Sequence, residues 1–267
     1  MIRRILATVL FVPLFYVLVR YLPPVAFFGL VTVAATLAVG EFYRLFLSET
    51  PWPLGMGIGC AATAALLSST QWPDLLSDRL VLLVTMLTAA CLPLLPRLDL
   101  HRAVLQSAIL VAGVLYVGLT LSCLLLTRAL PGGEFLIFFV ILVTWAGDTG
   151  AYISGKTLGR HALAPTISPK KTVEGLIGGT VLALLVALGA RSWFLPSLTL
   201  TDAVILAVLL TAAGLLGDLA ESAVKRSVAQ KDSGSLIPGH GGMLDRLDSL
   251  LFTAPCFYYY VVLVKGS

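Results

Sequence analysis

The chain has 267 residues, 58% of them hydrophobic and 12% charged, with a mean hydropathy of +0.96. Soluble domains carry about 25% charged residues, so this composition leaves too little polar surface for a soluble fold and indicates an integral membrane protein. A net charge of +4, from 18 basic and 14 acidic residues, is too small to indicate nucleic acid as a partner.

A membrane-spanning helix needs roughly 20 mostly apolar residues. Nine segments qualify in chain order: Ile5–Leu22, Val25–Tyr43, Leu54–Ser69, Leu80–Leu95, Ala103–Thr127, Phe135–Ser154, Leu176–Trp193, Ala203–Leu219 and Leu250–Val264. The expected fold is therefore all-α and polytopic, with about nine transmembrane helices. The start, Met1-Ile-Arg-Arg before an apolar run, imitates a signal peptide. The run continues to Leu22 and meets Pro23-Pro24 rather than a small-residue cleavage site, so it reads as a retained first span. Cys60, Cys91, Cys123 and Cys256 stand singly in apolar runs, without the spacing of a zinc site, and read as small hydrophobes.

With the N-terminus inside, 13 of the 18 basic residues fall on the inside and five on the outside, a positive-inside bias that predicts an outside C-terminus. The two longest connections, Gly155–Val173 and Ala220–Asp248, are both inside and hold eight of the 18.

The polar residues gather where helices enter these loops. "WAGDTGAY" places Asp148 in the sixth span, where a carboxylate is costly and faces a cavity, an ion or a salt-bridge partner. In "GDLAESAVKR", Asp218, Glu221, Ser222 and Lys225 share one helical face. A solvated helix end with one Glu–Lys pair is the alternative for that decapeptide. "KDSGSLIPGHGGMLDRLDS" follows, Lys231–Ser249, where Pro238 and the glycines forbid regular helix. Its "PGHGG" offers a phosphate-binding nest of backbone amides, and His240 fits either phosphate binding or acid–base work. Asp245 and Asp248, three apart and facing Asp218, suit a hard cation such as Mg2+, which prefers oxygen ligands. Lys225, Arg226, Lys231 and Arg246 would neutralise a polyphosphate; a basic loop resting on anionic headgroups explains the lysines but not the carboxylates. In "SPKKTVEG", Lys170 and Lys171 precede Thr172, a candidate cap for the seventh helix. Gly175 and Gly179 form a GxxxG spacing, which indicates close helix packing.

The segment "SAVKRSVAQKDSGSLIPGHGGMLDRLD", Ser222–Asp248, resembles the signature of the phosphatidate cytidylyltransferases, or CDP-diacylglycerol synthases. That pattern reads S-x-x-K-R-x4-K-D-x-[GSA]-x2-[LIF]-[PG]-x-H-G-G-x2-D-R-x-D, and each defined position is met. "DTGAYISGKTLGRHALAPTISPKKTVEGLIGG", from Asp148, resembles the family's second block. The resemblance implies Mg2+-dependent transfer of the cytidylyl group of CTP to phosphatidate, releasing pyrophosphate. It implies metal ligation by Asp218, Asp245 and Asp248, with Lys225 and Lys231 assisting. Asp148, Lys170, Lys171, Ser222, Arg226, His240, Gly241, Gly242 and Arg246 would contact substrate. Residues 1–267 would form a single membrane domain, with motif-free helices over about 1–130 and the catalytic part over 135–267. The expected setting is the inner cell membrane with a cytoplasmic active site; a homodimer is left open.

Two other classes compete. A CTP-dependent lipid kinase would transfer the γ-phosphoryl group, but the full H-G-G-x2-D-R-x-D run favours cytidylyl transfer. A transporter would also place Asp148 and Asp218 in a cavity, yet transporters show repeated halves, whereas here the polar residues concentrate late in the chain.

Overall fold

A computed structural model describes residues 12–47, 53–94, 99–234 and 241–266. The chain is mostly helical and forms two compact units, Met1–Leu126 with Asp232–Asp245, and Thr127–Lys231 with Arg246–Ser267.

The first unit holds α1 (residues 12–20), α2 (Pro24–Leu47), α3 (Pro53–Gln71), α4 (Asp78–Cys91, extended by a 3-10 turn to Leu94) and α5 (Leu100–Gly113). A π-helical stretch, Val114–Leu119, joins α5 to α6 (Thr120–Ala129) within one continuous apolar run. Pro24 opens α2 and Pro53 opens α3, where a missing N–H costs nothing. Asp99 caps α5 by accepting from the Arg102 amide. Tyr43 locks three of these elements together. Its hydroxyl donates to the Leu110 carbonyl at 2.9 Å, and its ring fills the space left by Gly59 and Gly113.

The second unit contains α7 (Gly133–Leu158), a hairpin of β1 (Ala162–Ala164) and β2 (Ser168–Thr172), α8 (Val173–Trp193), α9 (Leu200–Ser227) and α10 (Leu244–Lys265), the last crossing from one unit to the other. Phe139 on α7 stacks on Phe257 of α10, and Thr144 donates to or accepts from Thr253 at 3.2 Å.

Seven helices among the described residues are long and apolar enough to cross a membrane, against the nine segments expected from sequence, and the protein is a multi-pass membrane protein. Ile5–Leu22 lies partly outside the described residues. The segment Leu80–Leu95 forms α4, whose 14 residues reach only about 21 Å, against a hydrocarbon core of about 30 Å. The all-α expectation also lacks the hairpin, an antiparallel pair in which Ala162 faces Thr172 and Ala164 faces Ser168.

Candidate active site

The site begins with a helix pair that has almost no side chains between its members. A methyl group on Gly150 of α7 would meet the Gly178 carbonyl of α8 at 2.7 Å, and one on Gly179 would meet the Gly147 carbonyl at 2.7 Å. Such contact lets two backbones approach closely, as the GxxxG spacing suggested. It also fixes the two ends that matter: Asp148 sits within this seam on α7, and the hairpin feeds directly into α8. Thr172 caps that helix, its hydroxyl accepting from the Gly175 amide at 3.1 Å. Glu174 closes the hairpin from the other side, accepting from the Arg160 and His161 amides and from the His161 ring at 2.6 Å.

Capped in this way, β2 directs Lys171 onto α9. Its ammonium lies 2.7 Å from Asp218 and donates to the Leu215 carbonyl at 3.4 Å. Along the same face of α9, Ser222 donates to Asp218 at 3.3 Å, and Lys225 pairs with the fully buried Glu221 at 2.6 Å. The Glu–Lys pair of the alternative reading is present, but Glu221 is buried, so the helix end is not solvated. α10 packs against this face because Gly217 has no side chain: a methyl there would run into the Asp248 carbonyl. Ser249 then bridges, its hydroxyl donating to Asp148 at 3.4 Å and its amide to Asp248 at 2.7 Å. One carboxylate oxygen from each of Asp218, Glu221 and Asp248 lies within 4.8 Å of the others. Three hard oxygen donors grouped in this way could hold a divalent cation, with positions left over for water or phosphate oxygens.

Asp245 belongs to the first unit, and there it organises backbone. Its carboxylate accepts from the Gly242 amide at 2.8 Å and from the Ser233 amide at 3.1 Å. Gly241 adopts φ +83°, the left-handed region that glycine enters without strain. α9 ends in a two-bond turn: Ala229 donates to the Arg226 carbonyl and Gln230 to the Lys225 carbonyl, with Ala229 itself left-handed at φ 55°. Arg226 reinforces the turn by donating to the Gln230 carbonyl at 3.0 Å. Lys170, Lys231 and Arg246 are exposed, as is Asp148. His240 and the rest of 235–240 lie outside the described residues.

Of the expected residues, then, the second unit gathers Asp148, Lys171, Asp218, Ser222, Lys225 and Asp248. The sequence reading did not select Glu221 or Ser249. Glu221 stood three residues after Asp218, and that spacing was the available signal. Ser249 carried none, because its role depends on α7 and α10 meeting.

Residues 2–264 match the family model described as "Cytidylyltransferase family". Among curated proteins, a Synechocystis phosphatidate cytidylyltransferase is 53% identical over 137 residues, covering 50% of this chain and 45% of the relative. A Staphylococcus saprophyticus protein of the same name is 43% identical over 151 residues, covering 57% of each. An Escherichia coli protein named "Uncharacterized protein YnbB" is 42% identical over 135 residues, covering 51% of this chain and 45% of the relative. The chain spans about half the length of the curated relatives it matches.

Proposed function

The chain belongs to the cytidylyltransferase family, and on that premise we propose that it transfers the cytidylyl group of CTP to phosphatidate, giving CDP-diacylglycerol and pyrophosphate. The observation that carries this reading is the convergence of Asp218, Glu221 and Asp248 with Lys171 and Lys225 at the ends of apolar helices. A lipid anchored by its tails meets a soluble polyphosphate at such a place. The names of the Staphylococcus and Synechocystis relatives support phosphatidate as the acceptor.

In the reaction, a phosphate oxygen of phosphatidate attacks the α-phosphorus of CTP. The bond from that phosphorus to the bridging oxygen breaks, and pyrophosphate leaves with the electron pair. Such transfers need positioning and charge neutralisation rather than a covalent nucleophile. Asp218, Glu221 and Asp248 would hold Mg2+, which when bound supplies charge neutralisation and polarisation of phosphate oxygens. Lys171 and Lys225 balance carboxylates in the structure and exchange those partners for phosphate oxygens when substrate enters. Lys231, Arg226, Arg246 and Lys170 bind the remaining phosphate charge, and the proposal extends that role to Gly241, Gly242 and His240. Asp148, oriented by Ser249, orders the nucleotide side. Asp245 holds loop amides, and its assignment as a further metal ligand stays part of the proposal.

A nine-span topology that includes α4 as a short span, with the N-terminus inside and the C-terminus outside, would put this site on the cytoplasmic face of the inner membrane, in one catalytic domain. The basic-residue distribution supports that orientation. Cysteines introduced at the exposed positions Thr166 and Asp232, in a background without the four free native cysteines, test it. Labelling of either from outside intact cells by an impermeant reagent would refute the orientation.

The activity is tested with purified protein, phosphatidate, Mg2+ and CTP labelled at either the α- or the γ-phosphate. Label from the α-position in the lipid product is expected. Label from the γ-position alone would establish a lipid kinase, and a lipid without either label would reject both.

A further inference from the structure

Among the described residues of the first unit, Glu41 is the buried acidic residue, and neither the signature nor the proposed chemistry uses it. Glu41 lies in the middle of an apolar run on α2 and is 3% exposed. Burying an ionised carboxylate is costly unless donors meet it. Two do, both from the segment that joins α9 to α10. The Ser233 hydroxyl donates to Oε2 at 3.1 Å, and the Leu244 amide donates to the same oxygen at 2.9 Å. Leu244 is the first residue of α10, so its N–H is one of the unpaired donors at the positive end of that helix.

The segment is shaped to admit this carboxylate. A methyl group on Gly234 would meet Oε1 at 2.8 Å, and one on Gly242 would overlap Oε2 and the Ser233 hydroxyl. Asp245 binds the same two places from within the segment, through the Ser233 and Gly242 amides. Two carboxylates therefore close one clasp: Asp245 from inside the segment, Glu41 from α2. Among the described residues, Oε1 of Glu41 is buried without a hydrogen-bond partner, and both of its bonds fall on Oε2.

We infer that Glu41 is a positioning residue for the proposed transfer: by tying Ser233 to Leu244 it fixes the described residues on either side, 231–234 and 241–246, which carry Lys231, Asp245 and Arg246. Glu41 touches no substrate. It acts through the geometry of the clasp, and in this respect the inference rests on the activity proposed above.

The test uses the full chain in detergent or bilayer discs. Trypsin cleavage after Lys231, an exposed residue at the border of the clasp, reports the clasp without any assay of turnover. Glu41→Ala is expected to be cut there about tenfold faster than wild type, the scale of losing hydrogen bonds to a charged group. Its kcat is expected to fall about tenfold or more while the CTP KM moves less than about threefold. Glu41→Gln keeps a carbonyl oxygen that accepts both bonds, and stays within about threefold of wild type on both readouts. Wild-type cleavage and turnover in Glu41→Ala would overturn the inference. So would a Glu41→Gln variant as impaired as alanine, because the charge rather than the acceptor geometry would then be what matters. Where Glu41→Ala fails to reach the membrane, Ser233→Ala removes one of the two bonds and should raise cleavage about threefold; unchanged cleavage would refute the clasp. If wild type itself transfers no cytidylyl group, the activity reading fails alone, and the cleavage comparison still decides on Glu41.

Discussion

The second unit places carboxylates at both ends of α9, and it treats them differently. Near the start of the helix, Asp202 accepts from the Thr199 amide and hydroxyl, each at 2.8 Å, from the Tyr260 hydroxyl at 2.8 Å, and from Lys265 at 2.7 Å. Near the far end, Asp148, Asp218, Glu221 and Asp248 meet Lys171, Lys225, the Ser222 hydroxyl and the two donors of Ser249. One carboxylate collects four donors at the first end, whereas four carboxylates crowd together at the other. A buried acid whose donors come from its own cap and its neighbours holds helices together. Acids crowded on one another concentrate negative charge, and on the proposed function that concentration is where a cation and a polyphosphate would bind.

Substitutions can break this contrast. The largest effect is expected at the crowded end. Asp248→Asn and Asp218→Asn should lower kcat by about a thousandfold, the scale of losing a group aimed at developing charge. Thermal stability should hold or rise, since a repelling negative charge is removed. An asparagine variant within tenfold of wild type would place the cation elsewhere. Chelation of Mg2+ should silence wild type to the same level.

Asp202→Asn should do the reverse. Removing one partner of a buried pair costs about 3–5 kcal/mol, reduced here to about 2 kcal/mol because the Lys265 side chain is 25% exposed and solvent screens it. The unfolding midpoint falls while kcat below it changes little. A proportional loss of activity would show that the two ends are not separable.

Lys171→Met sharpens the crowded end. It removes the cation on Asp218 and a contact to phosphate, so kcat should drop about tenfold to thirtyfold, near 2 kcal/mol. A change confined to the CTP KM would make Lys171 a binding group only.

The smallest effect is expected between the ends of the comparison, where α9 stops. Ala229 holds a left-handed conformation that costs a non-glycine residue about 1 kcal/mol. Ala229→Gly should raise stability by less than about 1 kcal/mol, and a loss of stability would show that the alanine methyl makes a contact of its own.

The sequence made the late helices and their polar face legible because both depend on local spacing. Asp218, Glu221, Ser222 and Lys225 occur at helical intervals, and Thr172 precedes its helix by one residue, so chain-local rules reach them. The Lys171–Asp218 pair joins residues 47 positions apart, and no periodicity encodes that. The hairpin was unreadable for another reason: Pro165 and Pro169 interrupt it, its strands have three and five residues, and turn chemistry masks any alternation. Apolar composition alone did not give the length of α4, whose α-helical part has 14 residues. Glu41 carried a signal, an acid in an apolar run, but its meaning appears only once the Ser233 and Leu244 donors are seen to converge on it.

The glycine seam between α7 and α8 limits how this chain can vary. Any replacement at Gly150 or Gly179 adds at least a methyl where a carbonyl already lies 2.7 Å away, so neither position has a neighbouring residue type through which to drift. The opposite side of α8 exposes Ile177, Val181 and Leu185 at intervals of four. Hydrocarbon accepts any apolar shape there, so those three sites exchange freely among leucine, isoleucine, valine and phenylalanine. A single helix thus carries a frozen face and a permissive one, and mutational scanning should read the seam as two silent columns beside a tolerant stripe.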